Sequence, residues 1–268
     1  VTTMVGTFRE ATAMNADLSS WKINKVTTLY MTFYQTPAFV GKGLNTWNTS
    51  AVTSLHSTFS WATEVNVDLR GWDAAKVTDL ESTFSDASKF AGTGLDSWIT
   101  ASVTTLRSTF SGATAMNVDL RGWNVTKVHT LQGTFENATS FVGTGLDLWD
   151  TSTVTNMYST FSGASAMNAE LSNWDVRSVS PNNAAVALMP GGGTNWMPVA
   201  GTELTGPSGG WDYPEPVTLM VDLGDNVWII GILAHDYIKM VKIKISGTST
   251  FVWKETRYQR IGMFPSRC

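Results

Sequence analysis

The sequence predicts a repeat solenoid, a stack of similar coils, followed by a small β-rich domain. A Val, a Phe that follows Thr, and a Trp recur in seven copies at alternating intervals of 25 and 26 residues. Large apolar residues at a short fixed period form columns when copies stack, and each copy then contacts its neighbours. The Val column comprises Val1, Val26, Val52, Val77, Val103, Val128 and Val154. The Phe column comprises Phe8, Phe33, Phe59, Phe84, Phe110, Phe135 and Phe161, and the Trp column comprises Trp21, Trp47, Trp72, Trp98, Trp123, Trp149 and Trp174.

The copies alternate between two versions. Odd copies carry Asn-x-Asp/Glu-Leu before the Trp, and even copies carry Gly-x-Gly-Leu at the same place. The repeating unit is therefore a pair of copies, 51 residues long. Glycine tolerates positive φ and close backbone approach, so the glycine loop is a suitable place for the extra residue.

Two kinds of periodicity predict the elements of one coil. Val103, Leu106, Phe110 and Ala113 form a helical stripe, which predicts a short helix or 3₁₀ turn. Residues 116–120 alternate between apolar and polar, which predicts a short strand. A short helix or 3₁₀ turn and a short parallel strand per coil are typical of a leucine-rich-repeat-like solenoid, whose strands stack about 4.8 Å apart.

Three segments are expected along the chain. Residues 1–179 form the solenoid, with seven coils and a partial eighth that Val179 opens. Residues 180–210, rich in Pro and Gly, are the cap and linker, and 211–268 form the β-rich domain. Solenoids have atypical capping coils, so a chain that starts at the first residue of a copy is expected to be a piece of a longer protein. The four strand-like runs are Val217–Leu223, Val227–Ala234, Ile238–Ser246 and Thr250–Trp253.

Composition excludes several classes of function. The net charge is −4 without a basic face, which argues against nucleic acid as a partner. The single Cys268 cannot form a disulfide framework or a thiolate metal site within the chain. The three histidines His56, His129 and His235 are scattered without ligand spacing, so no enzyme, metal or cofactor is expected. No apolar run reaches the roughly 20 residues that span a bilayer.

The repeats resemble a known family. Residues 154–164, Val-Thr-Asn-Met-Tyr-Ser-Thr-Phe-Ser-Gly-Ala, and residues 167–175, Met-Asn-Ala-Glu-Leu-Ser-Asn-Trp-Asp, are similar to the BspA-like leucine-rich-repeat family. The resemblance covers residues 1 to about 179. It implies a cell-surface or secreted protein that adheres to proteins or cells and has no catalytic residues. This chain departs from the family's pattern by Thr in place of a frequent Met before the Phe, and by the Gly-x-Gly coils, which puts an inherited partner in doubt.

A row of Asn and acidic residues is the candidate interaction face. The row consists of Asn15, Asp17, Asn66, Asp68, Asn117, Asp119, Asn168 and Glu170. The alternatives are a solvated face whose Asn side chains satisfy turn backbone, which we favour, and a calcium site. Adjacent Thr columns suggest ice binding as a further alternative, although helix capping also explains the Thr before each Phe.

Other residues suggest glycans. Asn48, Asn124 and Asn137 begin Asn-x-Ser/Thr sequons and are possible glycosylation sites. In the β-rich domain, which faintly resembles discoidin-like jelly rolls, Trp211, Tyr213 and Trp253 are candidate carbohydrate contacts if they cluster.

The expected function is a non-enzymatic, extracellular or cell-surface adhesion module that acts through a rigid lateral face of the solenoid. Its partners would be other proteins, matrix components or glycans, without nucleic acid and without a membrane span. The alternatives are a structural scaffold subunit of a larger assembly, and carbohydrate binding by the C-terminal domain. A scaffold subunit would hide a contiguous apolar patch, and a solitary adhesin would not.

Overall fold

The computed structural model describes residues 1–169, 171, 173–176, 178–179, 217–222, 227–234, 237–245 and 251–260. The chain divides into two compact units, Val1–Gly193 and Thr194–Cys268. The division falls within 180–210, the segment that the sequence predicts as cap and linker.

Backbone hydrogen bonds join each copy of the first unit to the next. In the second copy the N–H groups of Leu29, Met31 and Phe33 donate to carbonyls of the third copy at 2.9–3.1 Å. Parallel bridges run through one residue per copy, at the second position after the Val. They join Thr28, Ser54, Asp79, Thr105, Thr130 and Asn156 in series. The copies therefore stack in register, each on the one before it.

The segment that follows each Val is a run of turns, where the sequence predicts a short helix. In the fifth copy Ser108 and Gly112 have φ values of 51° and 68°, which a right-handed helix cannot contain. The N–H of Thr109 donates within the copy to Leu106, whereas the N–H groups of Ser108 and Phe110 donate to the sixth copy. The left-handed residues orient alternate N–H groups toward the next copy. Hydrogen bonds between copies therefore replace the bonds that a helix would form within the segment. The parallel pairing lies at Thr105 of this copy, and residues 116–120 form no strand.

The regular helical turns lie in the even copies, next to the glycine loops. They are the 3₁₀ turns Leu44–Thr46, Leu95–Ser97 and Leu146–Leu148. Each follows a glycine with φ between 87° and 91° and ends at the Trp of its copy. The buried Leu that opens each turn contributes to the core.

Two aromatic columns form the core of the stack. Ring centroids of Phe84 and Phe110 lie 5.7 Å apart, and those of Trp72 and Trp98 lie 6.4 Å apart, with nearly parallel planes. A buried aromatic side chain hides about 150–250 Å², or about 4–6 kcal/mol of gross burial. Each buried Trp from the second copy onward also donates its Nε1–H to a Leu carbonyl of the preceding copy, as Trp72 does to Leu44 at 2.8 Å.

From the second copy onward, the Thr before each Phe is buried and its hydroxyl joins neighbouring copies. Thr109 is fully buried, and its Oγ1 lies 2.8 Å from the Leu106 carbonyl and 3.0 Å from the Leu80 carbonyl of the preceding copy. The same pair of contacts recurs in neighbouring copies at Thr83 and Thr134. A buried hydroxyl needs a hydrogen-bond partner, and the stack supplies it. This column is not available to an external ligand.

The second unit contains an antiparallel sheet in the order β1-β2-β3-β4. Its strands are β1 Val217–Asp222, β2 Val227–Ala234, β3 Tyr237–Ile245 and β4 Phe251–Arg260. Each strand overlaps one of the four β-rich runs of the sequence, because alternating β-branched residues favour pleated backbone. Among the described residues, no helix is both long and apolar enough to cross a membrane.

Candidate functional site

Asn66 and Asn117, in the third and fifth copies, each join three copies. The backbone N–H of Asn66 donates to the Val40 carbonyl of the preceding copy at 3.4 Å. Its side-chain Oδ1 accepts the Ala91 N–H of the following copy at 3.2 Å. The Oδ1 atoms of Asn15 and Asn117 accept equivalent N–H groups at the same distance. These amides act within the stack, as in the turn-satisfying alternative.

The Asp two residues later closes a turn. The Oδ1 of Asp17, Asp68 and Asp119 accepts the N–H two residues on, at 2.9–3.0 Å. The three carboxylates also form ion pairs: Asp17 with Lys42 at 3.2 Å, Asp68 with Arg70 at 2.9 Å, and Asp119 with Arg121 at 2.7 Å. The Ser19 N–H, with the Ser19 hydroxyl and Lys42, lowers the pKa of Asp17 to about 2.

Glycine loops of the even copies pack against these turns. A Cβ on Gly94 would meet the backbone nitrogen of Arg70, and would lie 2.6 Å from Asp68 Oδ1. Gly43 and Gly145 approach the preceding odd copy in the same way. This position needs a residue without a side chain and with φ near +90°. An even copy with its glycine loop therefore follows each odd copy in the chain. This approach explains the 51-residue pair.

In the predicted interaction face, the Asn side chains bond the following copy, whereas Asp68 and Asp119 close turns within their own copies. Asn168 continues the pattern, donating its N–H to the Val142 carbonyl at 3.1 Å. Glu170 lies outside the described residues, and so do Trp211 and Tyr213. Trp253 lies in β4, where its backbone is opposite Ile243.

The three sequon asparagines are exposed. The Oδ1 of Asn48 accepts the Ser50 N–H at 3.0 Å, and the Oδ1 of Asn124 accepts the Thr126 N–H at 3.0 Å. Asn137 has a φ of 55° and lies against Gly163 of the next copy. The side chains of Asn48 and Asn124 take part in turns, and glycosylation of all three residues stays a prediction.

Some exposed positions of the repeat change from copy to copy, and one of them lies next to the parallel bridges between copies. The fourth residue after the Val is a different type in nearly every copy, whereas the residue directly before it is Leu or Met in all seven. We call this column the variable ladder; it consists of Val5, Tyr30, His56, Glu81, Arg107, Gln132 and Tyr158. All seven side chains are exposed or partly exposed. Aligning the seven copies by column would have revealed this variation from sequence alone.

The backbone holds the variable ladder rigidly. Each ladder carbonyl from the second copy onward accepts an N–H of the preceding copy, as Glu81 does from Ser57 at 2.9 Å. The side chains contact residues of neighbouring copies. Rings of Tyr30 and His56 lie 5.0 Å apart, and His56 Nδ1 lies 3.3 Å from Asp79 Oδ2.

Further along the variable ladder, charged and polar side chains pair in the same way. Arg107 Nη1 lies 3.1 Å from Glu81 Oε1, and Gln132 Oε1 accepts from Asn156 Nδ2 at 3.1 Å. The ladder is thus an ordered line of unlike side chains along the stack. Tyr158, at 44% exposure, is its most open aromatic residue.

The remaining candidates for chemistry do not converge. His56 belongs to the variable ladder, and His129 lies in the exposed column that Thr occupies in the other copies. His235 lies outside the described residues. In the part of the chain that the structure describes, no three His, Cys, Asp or Glu residues are grouped as metal ligands.

Comparisons with known proteins place the repeats in a family. No curated protein and no solved structure matches the chain. A family described as "Mycoplasma protein of unknown function, DUF285" matches residues 2–120 and 104–187, which together span more than half of the chain. The repeat region accounts for both matches, so the chain belongs to the DUF285 family.

Proposed function

We propose that this protein is a BspA-like, leucine-rich-repeat-like solenoid that acts as a non-enzymatic interaction module, cell-surface or secreted. Its partner is a protein on a cell or in the surrounding matrix. The binding surface is the variable ladder, in place of the Asn and acidic row that the sequence predicts.

The observation that carries this proposal is the contrast between constant and variable positions. The Val, Thr, Phe and Trp columns are buried in the stack from the second copy onward. The variable ladder contains Tyr, His, Glu, Arg and Gln at a position where the stack itself requires no particular residue. Unlike side chains on a uniform, rigid frame can distinguish one partner from another.

The length and chemistry of the variable ladder also fit a protein partner. From Tyr30 to Tyr158 the ladder spans five intervals between copies, or about 24 Å at about 4.8 Å per interval. This length suits contact with one face of a small domain. Tyr and Arg are enriched at the energetic centres of protein interfaces, and the ladder has both. Its rigid backbone lowers the entropy lost on binding.

The test uses fluorescently labelled full-length chain on cultured epithelial cells and on the matrix that they deposit. The ladder variant carries Tyr30→Ala and Tyr158→Ala. The control variant carries Ile99→Ala and Leu148→Ala, which removes apolar side chains that are 61% and 65% exposed outside the ladder. Two truncated interface aromatics cost more than about 1 kcal/mol each, so the ladder variant should bind at least about tenfold more weakly.

Equal binding by the ladder variant, the control variant and the unchanged chain would refute the variable ladder as the surface. Protease treatment of the cells and matrix should abolish binding, since the partner is a protein. Native mass measurement distinguishes the scaffold alternative, in which the natural protein is found in a stoichiometric complex that survives salt.

A further inference from the structure

A second surface is defined by lysines in residues 1–169 that have no carboxylate partner among the described residues. Six of the ten Lys and Arg side chains in residues 1–169 form ion pairs with carboxylates. The other four have no ion pair within the described residues. They are Lys22, Lys25, Lys76 and Lys127.

Three of these lysines occupy one position of the repeat. Lys25, Lys76 and Lys127 each directly precede the Val of an even copy, at intervals of 51 residues. All three are exposed. Two stacking intervals separate successive members, so their Cα atoms lie about 10 Å apart. We call these three residues the lysine row; Lys22, three residues before Lys25, extends it at one end.

The exposed Thr column runs beside the lysine row. The Oγ1 of Thr53 donates to the Thr27 carbonyl at 3.1 Å, and that of Thr78 donates to the Thr53 carbonyl at 3.2 Å. Each hydroxyl already donates its single proton to a backbone carbonyl. Its exposed oxygen can therefore only accept further hydrogen bonds. His129 replaces Thr in the sixth copy, two residues after Lys127.

Two acidic residues, Asp73 and Asp79, each lie three residues from Lys76, and each accepts a backbone N–H of its own turn. Asp73, three residues before Lys76, accepts the Ala75 N–H on its Oδ1 at 2.9 Å and forms no ion pair with that lysine. The ammonium groups therefore face solvent without a carboxylate within 4.0 Å among the described residues. Exposed cations in one line, beside a line of acceptors, form a surface for an extended anionic ligand.

We propose that the lysine row binds a linear acidic polysaccharide that carries one carboxylate for every two sugar rings. The lysines take the carboxylates, and the Thr oxygens accept hydrogen bonds from sugar hydroxyls. A nucleic acid fits less well, because duplex DNA carries a charge about every 1.7 Å and the chain has a net charge of −4. This site is separate from the variable ladder and does not depend on it.

The test measures binding of hyaluronate, which has one carboxylate for every two rings, to the full-length chain at 0.15 M salt. The row variant carries Lys25→Gln, Lys76→Gln and Lys127→Gln. The control variant carries Lys42→Gln, Lys89→Gln and Arg121→Gln, which removes the same charge from cations that already have partners. The Thr78→Val variant tests the acceptor line.

The unchanged chain should bind hyaluronate and not neutral dextran. Three exposed charge contacts predict that the row variant binds about tenfold more weakly, while the control variant stays within about twofold. Thr78→Val should weaken binding without changing its salt dependence. Equal losses in the row and control variants would mean general electrostatics and would overturn the proposal. So would absence of binding, or tighter binding of duplex DNA than of hyaluronate.

Discussion

Replacement of Gly94 by Ala tests the explanation of the two-copy repeat. Gly94 has φ +91°, and its Cβ position lies 2.8 Å from the Leu69 carbonyl carbon and closer still to the Arg70 nitrogen. Both neighbours are backbone atoms of the preceding copy, so no side chain can move aside. Positive φ costs an Ala about 1–2 kcal/mol, and overpacking adds about 1–3 kcal/mol.

The free energy of unfolding should therefore fall by about 2–5 kcal/mol in Gly94→Ala. A control exists in the next copy. Gly122 has no positive φ, and its Cβ position lies 3.3 Å from the Asp96 carbonyl oxygen. Gly122→Ala should change stability by less than about 1 kcal/mol.

The assay is urea unfolding of the full-length chain, followed by the fluorescence of the stacked tryptophans. Each 1 kcal/mol corresponds to about 2–4 °C in the thermal midpoint of a protein of this size, which gives a second readout. Equal midpoints for the Gly94→Ala and Gly122→Ala variants would refute the reasoning, because the pair of copies would then not depend on close approach at the glycine.

Three further predictions concern single side chains. Thr109→Val should lower stability by about 1 kcal/mol, because two Leu carbonyls lose a buried donor, whereas Thr104→Val on the exposed column should change it by less than about 0.5 kcal/mol in the same urea assay. Asp17 has a pKa of about 2 in the folded chain against 3.8 ordinarily, so its stabilising contribution is present above about pH 4 and is lost as pH falls towards 2. Asp17→Asn should therefore flatten the acid limb of the stability profile; an unchanged limb would contradict this. Burial raises the pKa of Asp86, so its ionised form opposes folding at neutral pH. Asp86→Asn should raise the thermal midpoint at pH 7 and have a smaller effect at pH 3, and a lower midpoint at pH 7 would show the reverse sign.

The core of the repeats could be predicted from the sequence because burial follows the period. Phe110 and Trp123 recur in register with their counterparts in the other copies, and the structure buries both. The β-rich runs of the second unit predicted four strands, although the run Thr250–Trp253 covers only the start of β4. The helical stripe that includes Val103 and Leu106 predicted a short helix or 3₁₀ turn, and the structure has a run of turns there. A spacing of three and four residues also fits such a run, which buries the same side chains.

The candidate site could be predicted only in part. Asn66 and Asp68 bond backbone N–H groups, as the alternative favoured from the sequence expected, and the use of their row as an interaction face stays a prediction. The variable ladder was recoverable from the sequence, since alignment of the copies places His56 and Arg107 in one column, directly after a residue that is always Leu or Met. The lysine row could not be predicted from the sequence. Only the ion pairs in the structure distinguish Lys76 from a cation such as Lys89, which has a carboxylate partner.

The sequence by itself determined the register of the copies and the apolar columns between them. The tertiary structure decided what the polar residues do. The physical reason is the sequence distance between partners. Burial of Phe84 follows from a pattern that occurs once in every copy, whereas the acceptor of the Trp98 indole N–H is the carbonyl of Leu69, 29 residues earlier. Such a partner exists only once two backbones stack. Polar roles in this protein therefore depend on the neighbouring copy.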